Sequence, residues 1–438
     1  MSGQRMRQPS FGFNYRHVLV VLIAGWAARW LVAATWPENA RSADFFSWIS
    51  VAKLMWAGHD PYKDTTSLNW PPFWMQCIYF ISRTTAALNV FFIHGVQFFL
   101  AAVESLVVVV LFGLIRKLAP RARPFNLVLL GIALNPVTIL LICQHCNFDV
   151  IVALWVLLFV CELIRYYETG NEVDWLLACL FLGLGILTKT VPLVLCPMLA
   201  GGLRRVAWKT KWTGLTLVLG PVTLGMSIIY VLAPADVTSK VLGYRSTPGW
   251  FGVTGLLHMA GLDGLMGPAS WVFYLALATV GVLTGIVFWR RKQMTGREIV
   301  MYATMFLAGT PALGPGYSPQ YLYWFWPLLL LSYPLYDGIW RRVVITFIIV
   351  ATVTCVVEYA IFPSHGQFFF YMANLNNVSK QAYNRLLWWI SQPGQLLIRL
   401  PLFLAFLVLL TAGIRLLVQN PHPETLSAKP AAGKKPAK

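Results

Sequence analysis

Apolar runs long enough to cross a lipid bilayer recur from one end of this 438-residue chain to the other. A helix crossing the hydrocarbon core needs about 20 mostly apolar residues. Only structures that satisfy every backbone amide and carbonyl internally are stable there. The runs fall near 17–36, 95–115, 124–143, 150–166, 174–188, 190–203, 212–233, 270–289, 298–312, 321–338, 343–361 and 395–415. Residues 174–203 fit either one long kinked helix or two short ones. With 58% hydrophobic and 11% charged residues and a mean hydropathy of +0.65, nothing is left over for a soluble domain. The expected fold is an all-α polytopic membrane protein of about 11–13 transmembrane helices, with residues 1–420 forming one transmembrane domain.

A formal net charge of +18 would suit a nucleic-acid binder, but the distribution of the charge argues for topology instead. With the N-terminus inside, Arg5, Arg7 and Arg16, the group Arg116 to Arg123, Arg165, the group Arg204 to Lys211, the group Arg290 to Arg297, the pair Arg341 and Arg342, and the tail from Lys429 share one side. This is the positive-inside pattern, and it places both termini in the cytoplasm with no nucleic-acid partner. It holds only if 70–82 does not cross, so 37–94 reads as one long external segment with juxtamembrane or re-entrant helices. Residues 421–438 form a basic Pro/Ala/Lys-rich tail, expected to be disordered and to touch anionic membrane lipid. Trp30 and Trp36 near the end of the first run suit an interfacial anchor, so this run reads as a retained span. The seven cysteines lie mostly within spans and make no disulfide scaffold.

Ionisable groups are costly in a bilayer, about 2.5–3.5 kcal/mol for a central Asp, Lys or Arg, so their positions point to function. The acids expected on the outside are Glu38, Asp44, Asp60, Asp64, Asp149, Asp236 and Asp263. Between Ala43 and Trp56, Phe45, Trp48, Ile49, Ala52, Met55 and Trp56 recur at helical spacing, which predicts an amphipathic interfacial helix. Asp44 falls in its first turn, where the helix dipole favours a carboxylate, and capping alone would explain it. Gly58-His59-Asp60-Pro61-Tyr62 then turns the chain, and Pro71-Pro72 opens a further short helix.

A second polar cluster, Gln144, His145, Asn147 and Asp149, crowds one turn between two apolar runs, after Asn135-Pro136 opens the kinked end of the preceding helix. The plain alternative is a polar loop tip with Asp149 as N-cap of the next helix. Cys143 and Cys146 in the same turn form an isolated C-x-x-C. Lys189 sits between two apolar runs and just before Pro192, available to an anion such as a lipid phosphate or simply snorkelling to water. Arg29 in the first span invites the same argument. Residues 309–327 combine Gly and Pro with Tyr317, Gln320, Tyr321, Tyr323 and Trp324, either an interfacial aromatic belt or a stacking wall for a sugar and a prenyl chain. The external loops at 234–268 and 363–393 carry Tyr244, Arg245, Trp250, His258, His365, Asn374 and Asn377 without a sharp signal.

The order of these features resembles the GT-C superfamily of membrane glycosyltransferases, of the polyprenol-phosphate-mannose-dependent mannosyltransferase type. The resemblance runs through roughly residues 15–340. It is carried by the acid after the first span, Gly58-His59-Asp60-Pro61-Tyr62, Trp70-Pro71-Pro72-Phe73, Asn135-Pro136 followed by Gln144-His145-Cys146-Asn147-Phe148-Asp149, Gly185-Ile186-Leu187-Thr188-Lys189-Thr190-Val191-Pro192-Leu193, and Ser318-Pro319-Gln320-Tyr321 leading to Trp326-Pro327. It implies a GT-C-like helical bundle with juxtamembrane helices in the first external loop. The implied activity is an inverting transfer of mannose or another hexose from a polyprenyl-phosphate sugar donor to a lipid-linked or envelope glycan acceptor. The implied location is the external, periplasmic face of a bacterial inner membrane.

In that family the first acid often stands in an Asp-Asp or Asp-Glu pair. Here Asp44 is followed by Phe45, which weighs against a metal-dependent mechanism, so no cofactor is expected, no metal ligands are assigned and a divalent cation is not indicated. The resemblance implies Asp44 as the catalytic base and Lys189, with Arg29 and His145, as ligands of the donor phosphate. Gln144, Asn147 and Asp149 would position acceptor hydroxyls or Asp44 itself, Asp60, Tyr62 and Trp70 would join them in binding the acceptor, and Tyr317, Gln320, Tyr321 and Trp324 would bound the cavity. The chemistry is coherent, because a sugar 1-phosphate carries its own leaving group and an ionised aspartate serves as base at neutral pH.

Two readings of other classes compete. A lipid or solute transporter, or a flippase, would show internal repeats and charges at mid-bilayer. Repeats are not visible, and Glu104 and Glu162 are the acids within spans, each able to bond a neighbouring helix. A membrane thiol oxidoreductase would rest on Cys143 and Cys146 alone.

Overall fold

The computed structural model describes residues 15–35, 42–65, 68–122, 124–232, 236, 238–242, 249, 251–361 and 394–419. The expectations for Arg5, Arg7, Glu38, Arg123, Tyr244, Arg245, Trp250, His365, Asn374, Asn377 and the tail 421–438 lie outside the described residues. Among the described residues the chain is helical throughout, with no strand. In chain order the first helices are α1 (Tyr15–Thr35), α2 (Ala43–Trp56), α3 (Pro61–Asp64), α4 (Pro72–Ala87), α5 (Phe92–Leu118), α6 (Pro124–Val128, continued by the π-turn Leu129–Ala133) and α7 (Pro136–Cys143). Next come α8 (Asp149–Thr169), α9 (Glu172–Thr188), a 3-10 run Val191–Leu199, α10 (Ala200–Arg205) and α11 (Trp208–Leu232). After a π-turn at Thr238–Leu242 follow α12 (Gly252–Met259), α13 (Met266–Arg290), α14 (Gly296–Leu313), a 3-10 run Pro319–Trp324, α15 (Trp326–Ser332), α16 (Ile339–Ile361) and α17 (Gln395–Gln419).

Six of the described helices are long and apolar enough to cross a membrane, α1, α5, α8, α13, α16 and α17, and a seventh crossing forms if the bent pair 125–133 and 136–143 is one span. These belong to an all-α multi-pass membrane protein. Segments read from the sequence as further spans take other forms. The stretch 174–203 is two elements, α9 and the 3-10 run, separated by an extended Lys189. The stretch 321–338 is a 3-10 turn and the short α15. Proline explains both, since Pro192, Pro197, Pro319 and Pro327 withhold the amide protons that a continuous α-helix needs.

Capping chemistry sets the remaining breaks. Asn135 accepts from the amide of Val137 and Pro136 follows at the first helical position, so the chain bends by 43° there. Asn135-Pro136 therefore opens α7, the helix that leads into the polar turn, as its sequence suggests. Thr295 and Glu298 form a reciprocal capping box at α14. Gly170 closes α8 in the left-handed conformation, φ 70°.

The α8 helix is the axis of the bundle: 78% of its spanning window is buried, against 22% for α1. It packs against α9 on one side and α5 on the other. At Gly183 the α9 and α11 backbones lie so close that a Cβ would collide with the Leu217 carbonyl oxygen, so a small residue is what lets these helices touch there. Helices α2, α3 and α4 fold back over the end of the bundle where α7 gives way to α8, with α2 packed on α4. That overlay brings the segment between α1 and α5 onto the polar turn at 144–149.

Candidate functional site

Asp44 occupies the first turn of α2 as the apolar spacing predicts, with Ser42 as N-cap accepting from the Phe45 amide at 3.4 Å. Ser42 does a second job, because its hydroxyl donates to the His145 carbonyl at 2.9 Å. One turn on, the Trp48 indole donates to the Cys146 carbonyl at 3.0 Å. From below, Gln97 of α5 donates its amide to the Cys143 carbonyl at 2.6 Å. The turn between α7 and α8 is thus held at three of its backbone carbonyls, those of Cys143, His145 and Cys146. Cys146 takes a left-handed conformation, φ 55°, which costs a non-glycine residue about 1–2 kcal/mol. Around it Trp48, Trp70, Trp74 and Phe148 interlock, with ring centroids 4.7–5.8 Å apart. The strained turn is over-determined by its frame, which is where stored strain tends to mark function.

That frame aims side chains from both segments at one another. The Asp44 Oδ2 atom accepts from His145 Nε2 at 2.9 Å and from the Asn147 carboxamide at 3.1 Å. Asn147 also caps α8, its Oδ1 accepting from the Asp149 amide at 2.9 Å. Phe148 holds the N-cap position without a side-chain cap of its own, the Asn147 side chain one residue earlier takes up the Asp149 amide, and Asp149 is the first residue of α8 rather than its N-cap. Burial alone would lift the Asp44 carboxyl, but the hydrogen bond from His145, the charge of Lys189 and the Asn147 donor carry it below the ordinary aspartate value.

Asp149 itself is 2% exposed and forms an ion pair with Lys189, whose Nζ lies 2.8 and 3.1 Å from its two oxygens. Lys189 is extended, just past the end of α9, and its ammonium stands 5.1–5.3 Å from the ring centres of Phe148, Tyr321 and Trp324. Such an aromatic box steadies a cation without neutralising it.

These groups open onto a cavity of about 930 Å³. Its polar end carries Asp44, Asn147, Lys189, Gln320, Asn69 and Trp70. Its other limb is apolar, walled by Phe273, Leu277, Gly281 and Gly285 of α13 against Val194 and Pro197 of the 3-10 run. The α13 wall from Phe273 to Gly285 covers 12 residue steps, about 18 Å of helix. A site of this size with one polar end and one apolar limb suits an amphiphile, a polar head joined to a hydrocarbon chain.

The structure brings together Asp44, His145, Asn147, Asp149, Lys189, Trp70, Gln320, Tyr321 and Trp324, and it separates others. Arg29 is not at the cavity. It is 4% exposed, ion-paired with Glu104, and donates to the carbonyls of Gly25 and Ala133 at 2.9 and 2.7 Å. Glu104 accepts in turn from the Tyr323 hydroxyl at 2.6 Å. Arg29 is a helix-to-helix tie, because a buried guanidinium must meet its acceptors inside the bundle.

His145 is 3% exposed and lies behind Asp44 rather than on the cavity wall, so it contacts the carboxylate and not a ligand phosphate. Gln144 is fully buried as the C-cap of α7. Asp60 caps α3 by accepting from the Tyr62 amide, and the buried Tyr62 donates its hydroxyl to the Trp70 carbonyl at 2.8 Å. Both shape the loop that presents Trp70. Tyr317 stacks on Phe251 with centroids 4.2 Å apart, off the cavity wall, while Tyr321 and Trp324 stack on each other at 4.2 Å beside Lys189. The aromatic run is part packing and part lining.

Two features escaped the sequence reading. Asn69 reaches the cavity from the short link before Trp70, and the signal available was its place directly ahead of Trp70-Pro71-Pro72. Tyr359 touches His145 from α16, 214 residues away, and nothing local marks it.

Cys143 and Cys146 are buried, and among the described residues, which include all seven cysteines, there is no disulfide. Among the described residues no three His, Cys, Asp or Glu side chains come together as a metal-holding set. No protein-family model matches the chain, and a search of the curated proteins finds no match.

Proposed function

We propose that the protein is an inverting glycosyltransferase of GT-C type that moves a hexose from a polyprenyl-phosphate donor to a hydroxyl-bearing lipid or glycan acceptor at the external membrane face. The observation that carries this reading is a doubly hydrogen-bonded Asp44 sharing with Lys189 the polar end of a cavity whose other limb is apolar. A hexosyl phosphate joined to a prenyl chain has that same division. The order of motifs along the chain supports the same reading, and mannose as the hexose rests on that resemblance alone.

In the reaction the acceptor oxygen attacks the anomeric carbon and the bond from that carbon to the phosphate oxygen breaks. The acceptor proton passes to the Asp44 carboxylate, and polyprenyl phosphate departs carrying the electron pair. Asp44 supplies general-base catalysis, worth on the order of 10²–10⁴-fold. Two of its hydrogen bonds fall on Oδ2, so Oδ1 is the oxygen turned to the acceptor. Lys189 meets the charge that grows on the departing phosphate. Its ion pair with Asp149 and its aromatic box keep it extended toward the cavity before the donor arrives. Gln320 and Asn69 offer carboxamides to sugar hydroxyls.

The test is turnover by purified protein, in detergent or liposomes, supplied with polyprenyl-phosphate mannose and polyprenyl-phosphate glucose and a lipid extract as acceptor. Release of polyprenyl phosphate that depends on the acceptor supports the reading. Transmembrane movement of either lipid without cleavage would replace it with transport.

A further inference from the structure

His145 and Tyr359 stand in a line behind Asp44. The His145 Nε2 atom is 2.9 Å from the Asp44 carboxylate and its Nδ1 is 2.5 Å from the Tyr359 hydroxyl, with the two rings edge to face at 5.7 Å. A carboxylate only accepts, so Nε2 carries a proton, and in the neutral imidazole Nδ1 is then the acceptor that takes the tyrosine proton. Both ring nitrogens are occupied, the histidine is buried, and neither residue lines the cavity. We propose that His145 and Tyr359 are positioning residues that act through Asp44, and that proton uptake at His145 turns the transfer reaction down. The proposal rests on Asp44 being the base.

The mechanism follows from charge. In the neutral form His145 gives the carboxylate one hydrogen bond and no charge. When Nδ1 gains a proton, the Tyr359 hydroxyl turns from donor to acceptor and Asp44 faces an imidazolium. An ion-paired carboxylate holds its electron pair more tightly and is a poorer base. Among the described residues, other charged and titratable groups near this line come from the elements packed on it. Lys189, following α9, and Asp149 of α8 reach it through Asp44 and compensate each other. Glu358 of α16 is paired with Arg399 of α17 at 2.8 Å, and Cys355 and Tyr317 border Tyr359. The charge that faces His145 directly is that of Asp44.

The Glu358–Arg399 pair also ties α16 to α17 one residue before Tyr359. The position of the base is thereby linked to the C-terminal pair of spanning helices, far along the chain from α2.

The experiment compares kcat and donor KM across pH for the wild type, His145→Gln and Tyr359→Phe in the full-length protein. Glutamine still offers an amide proton to Asp44 but takes up none. Wild-type kcat should fall on acidification at a pH where His145→Gln keeps its relative rate. Tyr359→Phe should lower kcat about two- to tenfold, the worth of one net hydrogen bond, with donor KM unchanged. Profiles of the same shape for the wild type and His145→Gln would overturn the proposal. Should His145→Gln fail to fold, Tyr359→Phe decides by itself, and a kcat equal to wild type, or a loss confined to KM, overturns it. Asp44→Asn measured alongside separates the two levels. If that variant is inactive while the profiles coincide, only the positioning role fails, whereas an active Asp44→Asn removes the base itself.

Discussion

Two buried charge clusters lie near each other in this bundle, and their surroundings differ. Arg29 and Glu104 are 4% and 5% exposed, bonded to each other, to backbone carbonyls and to Tyr323, and the space beside them amounts to about 10 Å³. Asp44 is 35% and Lys189 20% exposed, and both border a cavity of about 930 Å³. The first cluster is sealed within the protein, whereas the second places the Asp44 carboxylate and the Asp149-paired Lys189 ammonium on a cavity wall. Charge within an apolar bundle is therefore not enough to locate function. Room beside the charge makes the difference, and by that criterion Arg29 fastens helices while Asp44 and Lys189 can meet a ligand.

The contrast gives a graded series of expected outcomes. Removing one partner of the sealed pair, Arg29→Ala, should cost about 3–5 kcal/mol, because Glu104 is left as a buried charge. Thermal unfolding in detergent would show a large drop, and a melting temperature near wild type would mean the pair is not sealed. Lys189→Ala likewise strands a buried carboxylate, that of Asp149, and should also cost stability, but unlike Arg29→Ala it should raise donor KM roughly 10–100-fold as well, the range for a lost charge-assisted bond. An unchanged donor dependence would remove Lys189 from phosphate binding.

Asn147→Ser keeps a side-chain cap for α8 while withdrawing the carboxamide donor from Asp44. Its expected signature is a kcat lower by about tenfold, with helix stability retained on thermal denaturation. The paired change Arg29→Met with Glu104→Leu should be close to neutral, or more stable by about 1–4 kcal/mol, since a matched apolar pair replaces two desolvated ions. Retained turnover in that double variant is expected, and its loss would move Arg29 into the functional machinery. Ser42→Ala should cost about 0.5–2 kcal/mol through the lost cap of α2, read as a modest drop in melting temperature.

The sequence carried the site more plainly than the bundle. Asp44 and the cluster from Gln144 to Asp149 stood out because polar side chains crowd two short segments of an apolar chain, and helical spacing from Phe45 to Trp56 defined α2. Lys189 was visible for the same reason, and its extended backbone between two elements follows from the proline two residues beyond the neighbouring Thr190. The partition of those residues was not visible. His145 and Lys189 read alike as cations for a phosphate, yet only Lys189 borders the cavity, because Ser42 and Trp48 clamp the turn so that the imidazole points at Asp44. Arg29 looked available until the bend at Asn135-Pro136 brought the carbonyls of Ile132 and Ala133 to its guanidinium. Tyr359 and Arg399 act across more than two hundred residues or between two late helices, a scale that local spacing does not encode.

The most direct measurement is the transfer rate of purified Asp44→Asn protein with a polyprenyl-phosphate hexose, read together with donor binding and thermal stability. Asparagine preserves the shape of the side chain but cannot take the acceptor proton. Turnover lower by about 10²–10⁴-fold, with donor binding and melting temperature near wild type, is the expected result. Turnover within a few fold of wild type would contradict the assignment of Asp44 as the base.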